Sequence, residues 1–151
     1  MKIFKDRQSA GKLLAKRLTH FTDDSRLIVL GIPRGGVVVA AEVAKVLKLP
    51  LDVLITRKIG APFQPELALG AIDPDGEAVW DDKLVLELGV KTDQLKDIIR
   101  DELDELARRE RVYRQGKKPL DVENKTVILT DDGIATGATT LAAVKYLKRH
   151  N

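Results

Sequence analysis

The chain has 151 residues, 44% of them hydrophobic and 32% charged, which excludes a disordered segment and allows one domain with a real core. It has no cysteine, so disulfides and thiolate metal sites are ruled out. The 26 Lys and Arg residues face 23 Asp and Glu, and this small excess of +3 argues against nucleic acid as a partner.

In chain order, the N-terminal run is charged from Lys2, so no secretory leader is expected there. No apolar stretch reaches the length of a membrane span, so a cytoplasmic protein without a membrane partner is expected. Ser9 reads as a helix N-cap, with Ala10, Leu13, Leu14 and Leu18 at helical spacing to about Phe21. Leu27 to Leu30 reads as a strand ending at Gly31, followed by a loop from Ile32 to Gly36. Val37 to Leu47 is a helix of small residues, Pro50 breaks it, and Leu51 to Ile55 is a second strand. Together these make a right-handed βαβ unit.

Gly60 to Pro65 is the most loop-like segment. Leu67 to Ile72 and Glu77 to Trp80 flank Asp73-Pro74-Asp75-Gly76, the chemistry of a tight turn between antiparallel strands. From Thr92, a stripe of Leu95, Ile98, Ile99, Leu103, Leu106 and Tyr113 marks a long helix, which Gly116 and Pro119 stop. The mixed charges of Arg100 to Arg114 read as its solvated face. A third apolar strand, Thr126 to Leu129, and a helix to about Lys148 complete the chain.

The most informative run follows that third strand: Asp131-Asp132-Gly133-Ile134-Ala135-Thr136-Gly137-Ala138-Thr139. The acidic pair stands at the carboxyl end of a buried parallel strand, where open α/β sheets bind ligands. The Gly/Thr loop can turn its N–H groups inward, and the helix it opens adds partial positive charge. Phosphate suits the loop and sugar hydroxyls suit the carboxylates, which together describe a ribose 5-phosphate cradle. A P-loop hydrolase is excluded, because the loop lacks the Gly-Lys-Ser/Thr ending.

Pro33-Arg34-Gly35-Gly36 ends the first strand. Two glycines let backbone approach an anion, and Arg34 offers a donor fork to phosphate. Alone, it reads equally as a strand-to-helix turn with a surface arginine. Arg57 and Lys58 either bring more positive charge to a strand end or are solvated cations. His20 and His150 lie near helix ends with no partner in motif spacing, and no metal ligand is assigned. Trp80 and Phe63 are candidates to stack on a base, with core packing the competing role for Trp80.

The 131–139 run resembles the signature of type I phosphoribosyltransferases, which bind 5-phospho-α-D-ribose 1-diphosphate (PRPP). Gly60 to Gly70 and Tyr113-Arg114-Gln115-Gly116 resemble stretches of a bacterial and archaeal group within that family. The resemblance implies an α/β, three-layer Rossmann-like parallel sheet with a β-hairpin and helical insertion and a short C-terminus, over residues 1–151 as one domain. It implies a transferase that moves the phosphoribosyl group of PRPP to a small nitrogenous acceptor, with Mg2+ as cofactor, in nucleotide metabolism. Asp131 and Asp132 would hold the ribose 2′- and 3′-hydroxyls. Gly133, Ala135, Thr136, Gly137, Ala138 and Thr139 would wrap the 5′-phosphate. Arg34, Gly35, Gly36, Arg57 and Lys58 would bind diphosphate, with Asp131, Asp132, Arg34 and Lys58 the catalytic set. In the family, the loop at Arg34 often has an unusual peptide geometry before its first glycine.

Two departures from the family pattern stand out. Position 135 is alanine where purine-salvage relatives carry an aspartate, which argues against a hypoxanthine–guanine enzyme. Further strands usually follow the phosphate-loop helix, whereas this sequence stops at Asn151. The expectation is therefore a shortened chain or a homo-oligomer whose second copy covers the open edge. A non-catalytic PRPP- or nucleotide-sensing domain on the same fold is the alternative function.

Overall fold

In the computed structural model, which describes residues 4–21 and 24–151 apart from the side chain of Thr92, Asp6 caps the first helix. The first residues of the charged N-terminal run, 1–3, lie outside the described residues. Ser9 is not the N-cap expected from the sequence. It is the third helical residue, and it trades bonds with Asp6: Asp6 Oδ1 accepts the Ser9 N–H at 2.7 Å, and Ser9 Oγ accepts the Asp6 N–H at 3.1 Å. That reciprocal pair satisfies two donors no other helical residue can reach. Helix α1 (Arg7–Arg17) follows, then a 3-10 turn at Thr19–Phe21.

By its internal contacts the chain divides into two compact units. The first comprises Met1–Leu54, Pro119–Ile134 and His150–Asn151. It holds a parallel sheet ordered β2-β1-β6, made of β1 (Leu27–Gly31), β2 (Leu51–Val53) and β6 (Thr126–Thr130). The α/β class with a parallel sheet, read from three apolar runs, is what the structure has. β1 is fully buried and central, as its unbroken Leu-Ile-Val-Leu run requires. Its partner register pairs Leu27 with Thr126 and Gly31 with Thr130, so β1 and β6 end level.

Helix α2 (Gly35–Leu47) packs Ala40, Val43, Ala44 and Leu47 with Val29 of β1 and Ala15 of α1. Where α1 crosses α2, a Cβ on Gly11 would fall 2.7 Å from Glu42 Cβ and 2.8 Å from the Val39 carbonyl, so only glycine lets the helices come this close. Two carboxylates anchor the sheet. Asp24 accepts from Thr126 Oγ1 at 2.7 Å, and Asp52 accepts from the N–H of Leu120 at 2.8 Å.

The second unit, Ile55–Lys118 with Ala135–Arg149, holds an antiparallel sheet ordered β3-β4-β5. Its strands are β3 (Arg57–Ala61), β4 (Gln64–Ile72) and β5 (Ala78–Trp80). The expected loop at Gly60 to Pro65 is corrected: Ala61 pairs with Gln64, leaving a two-residue turn at Pro62 and Phe63. The prolines mislead because Pro62 sits in the turn itself, while Pro65 lies where the ladder slips register around Gly60.

The hairpin turn is as expected, with the Gly76 N–H reaching the Asp73 carbonyl at 3.0 Å. Asp73 is fully buried, its Oδ1 accepting the N–H groups of Asp75 and Glu77 at 3.0 and 3.1 Å. Its other oxygen pairs with Arg149 at the end of helix α5 (Ala138–His150). A short helix α3 (Asp82–Glu87), not anticipated from the sequence, starts where the Asp81 side chain accepts the Leu84 N–H. The long helix α4 (Thr92–Arg114) packs Leu95, Ile98, Ile99 and Leu103 on Ile59, Leu69 and Ile72. Its outer face carries ion pairs such as Arg100–Asp97 at 3.2 Å, the solvated face expected.

Candidate functional site

Because β1 and β6 end level, the loops that leave them are neighbours. The Ile32 N–H donates to the Thr130 carbonyl at 2.9 Å, and Thr130 Oγ1 donates to the Gly36 carbonyl at 3.1 Å. These bonds bring Pro33-Arg34-Gly35-Gly36 against Asp131-Asp132. The two segments the sequence singled out independently thus meet in the first unit.

The peptide bond between Pro33 and Arg34 is cis, at the place where the resemblance implies unusual geometry. Gly35 and Gly36 open α2, and a side chain on either would run into the acidic strand end. A Cβ on Gly35 would lie 1.9 Å from Asp132 Oδ2, and one on Gly36 would lie 2.8 Å from both Asp131 Cα and the Thr130 carbonyl. Arg34 is exposed, with no ion pair among the described residues.

The two carboxylates are not equivalent. Asp131 is half-buried, and desolvation pushes its carboxyl above the usual range even though its Oδ1 accepts the Asp132 N–H at 2.8 Å. Asp132 is more exposed, and a guanidinium holds its carboxyl below the usual range. That guanidinium belongs to Arg7 at the start of α1, with Nε 2.7 Å and an Nη 2.6 Å from Asp132 Oδ2. Sequence reasoning missed Arg7. It lies in no motif, and no local signal links it to a residue 125 positions away.

In the second unit, Ala135 and Thr136 are exposed and Gly137 takes φ +80°, a left-handed turn into α5. The Gly137 carbonyl accepts the Leu141 N–H at 2.8 Å, which makes Gly137 the N-cap of α5. The N–H groups of Ala138, Thr139 and Thr140 therefore belong to the first helical turn, where no intrahelical acceptor exists. Thr136, Gly137 and Ala138 line a cavity of about 520 Å³ together with Trp80, Asp81 and Asp82. Trp80 also packs partly against the Ile59–Leu69 core, the competing role weighed for it.

Arg57 and Lys58 lie in β3, each with a carboxylate partner. Arg57 Nε reaches Glu102 Oε2 at 2.6 Å, and Lys58 Nζ reaches Glu66 Oε2 at 3.3 Å. Phe63 is 92% exposed on the β3–β4 turn. Among the described residues, no cluster of three or more His, Cys, Asp or Glu forms a metal site, and no helix is long and apolar enough to cross a membrane.

A parallel sheet whose level strand ends bear an Arg-Gly-Gly loop and an acidic pair defines an α/β protein with its candidate site at the carboxyl ends of the strands. The chain belongs to the phosphoribosyl transferase domain family, whose model matches residues 4–151. It is 46% identical over 150 residues to "Putative phosphoribosyl transferase Rv0571c" of Mycobacterium tuberculosis H37Rv, and equally to MT0597 of strain CDC 1551. Those alignments cover 99% of this chain but only 34% of the relatives, so the chain spans about a third of their length.

Among solved structures it is similar to TT1426 from Thermus thermophilus, with 39% identity and a TM-score of 0.76 over 99% of this chain and 71% of that one. The purine phosphoribosyltransferase of Pyrococcus horikoshii shares the fold at 15% identity. Its TM-score is 0.52, over 99% of this chain and 68% of that one.

Proposed function

We propose that this domain binds PRPP and transfers its phosphoribosyl group to a nitrogenous acceptor, a nucleobase, with release of diphosphate. The observation that carries this reading is the meeting of Arg34-Gly35-Gly36 with Asp131-Asp132 across the β1–β6 ladder. An anion loop beside paired carboxylates suits a sugar that bears both vicinal hydroxyls and a diphosphate. Asp131 and Asp132 accept the 2′- and 3′-hydroxyls. Gly133, Ala135, Thr136, Gly137, Ala138 and Thr139 receive the 5′-phosphate on main-chain N–H groups, aided by the positive end of α5.

The reaction breaks the bond from ribose C1 to diphosphate and forms one from C1 to the acceptor nitrogen. Negative charge grows on the leaving group and positive charge on the ring, so preorganised electrostatics does the work. Arg34 and the N–H groups of Gly35 and Gly36 meet the diphosphate. The carboxylates of Asp131 and Asp132 stabilise the cationic ring. Arg57 and Lys58 enter as further cations once each leaves its carboxylate partner. Mg2+ would be held mainly by substrate oxygens and water, with Asp131 and Asp132 the nearest hard protein oxygens, and would neutralise charge on the leaving diphosphate.

In this reading the domain acts in the cytoplasm, in nucleotide metabolism. It works as a homo-oligomer, a reading supported by the outer edge of β6, which is unpaired among the described residues.

The test is Mg2+-dependent diphosphate release from PRPP across a panel of nucleobases, with release expected for at least one base. Saturable PRPP binding with no release for any base would make the domain a sensor and not an enzyme. Asp131→Asn combined with Asp132→Asn should abolish PRPP binding with an unchanged circular dichroism spectrum. Undiminished affinity by calorimetry removes the ribose assignment.

A further inference from the structure

We infer that Arg7 is a further substrate-binding residue, one that holds Asp132 with part of its donor fork and offers the rest to the diphosphate above Gly35. The inference rests on the reading of the two loops as a PRPP site.

The geometry begins with the helix crossing. Gly11 of α1 meets Val39 and Glu42 of α2, and Arg7 lies one helical turn before Gly11 just as Gly35 lies one turn before Val39. The crossing therefore sets the start of α1 over the start of α2. The position a Cβ would take on Gly35 is 2.6 Å from Arg7 Nε and 1.9 Å from Asp132 Oδ2. Guanidinium, carboxylate and diphosphate loop share one small volume.

Arg7 donates one hydrogen bond, from Nε to Asp132 Oδ2, with an Nη 2.6 Å from the same oxygen, and no further protein acceptor is found for it among the described residues. The side chain of Arg7 is 59% exposed, and an ion pair so open to water contributes little to folding. Its better use is electrostatic. Two adjacent carboxylates would repel a diphosphate brought to the neighbouring loop, and a guanidinium fixed on one of them cancels that repulsion while adding planar donors for phosphate oxygens.

The experiment is calorimetry with Mg2+ on the whole chain, comparing PRPP, inorganic diphosphate and ribose 5-phosphate. Arg7→Ala should weaken PRPP and diphosphate about tenfold or more, and ribose 5-phosphate by less than about threefold. Arg7→Lys, which keeps the charge but not the fork, should recover part of the loss with an unchanged melting temperature. Equal losses for all three ligands would reduce Arg7 to a holder of Asp132. Unchanged diphosphate affinity, or tighter ribose 5-phosphate binding, would also overturn the inference. If the unaltered chain binds neither PRPP nor ribose 5-phosphate, the site reading fails and the inference fails with it.

Discussion

Thr130 Oγ1 donates to the Gly36 carbonyl at 3.1 Å, so the last residue of β6 is bonded to the second residue of α2. The hydroxyl is buried, with Thr130 only 4% exposed. Thr130→Val keeps shape and removes this bond, which should cost about 1 kcal/mol in chemical denaturation. Thr130→Ser should restore most of it. A valine variant as stable as the parent would mean that the tie between the loops is geometric and adds no energy.

Gly35 and Gly36 should respond differently to alanine. At Gly36 the intruding methyl meets backbone, Asp131 Cα and the Thr130 carbonyl, both 2.8 Å away, and backbone cannot turn aside. Overpacking of that kind costs about 1–3 kcal/mol, visible as a lower melting temperature. At Gly35 the obstacles are the flexible ends of Asp132 and Arg7, which can swing away. Gly35→Ala should therefore melt near the parent temperature and lose PRPP affinity. The opposite pattern, a folding defect at Gly35 with binding intact, would show that the close approach serves packing alone.

Asp24 gives a pH dependence with a definite sign. Hydrogen bonds from Arg26 and then Thr126 depress its carboxyl from 3.8 to about 2. A depressed carboxyl stabilises the fold fully above its unfolded value and loses that contribution as pH falls through its folded value. Stability should therefore drop between about pH 4 and pH 2. Asp24→Asn should flatten that part of the curve of denaturation midpoint against pH. An unaltered slope would assign the acid sensitivity to other carboxylates.

Arg149 holds the buried Asp73 from the far end of α5, and also reaches Asp75 at 3.1 Å. Arg149→Ala leaves a fully buried carboxylate with only its two turn N–H donors. Removing one partner of a buried pair costs about 3–5 kcal/mol, and since Arg149 is 40% exposed about 2 kcal/mol is expected here. Asp73→Asn in the same chain should give part of it back. Thermal melts of the two single variants and the double variant measure the coupling.

Legibility differed between elements for physical reasons. The strands β1 and β6 announce themselves as unbroken apolar runs, Leu-Ile-Val-Leu and Val-Ile-Leu, and β1, buried on both faces, must be apolar throughout. The Asp73–Gly76 turn and the α4 stripe were equally plain, since turn chemistry and a 3.6-residue period act over a few positions. Gly60 to Pro65 was misread because proline and glycine mark a bulged strand as readily as a loop, and which one forms depends on the partner strand. Helix α3 escaped notice because a helix so short carries no periodicity.

The acidic pair, the Arg-Gly-Gly loop and the Gly/Thr run were set by the order of residues alone, because each is a local arrangement of backbone freedom and charge. Only the tertiary structure decided what stands beside them. The β1–β6 register brings Gly36 to Thr130, and the α1–α2 crossing brings Arg7 to Asp132. Neither distance is written in any stretch of sequence, since each depends on how separate elements bury their apolar faces against one another.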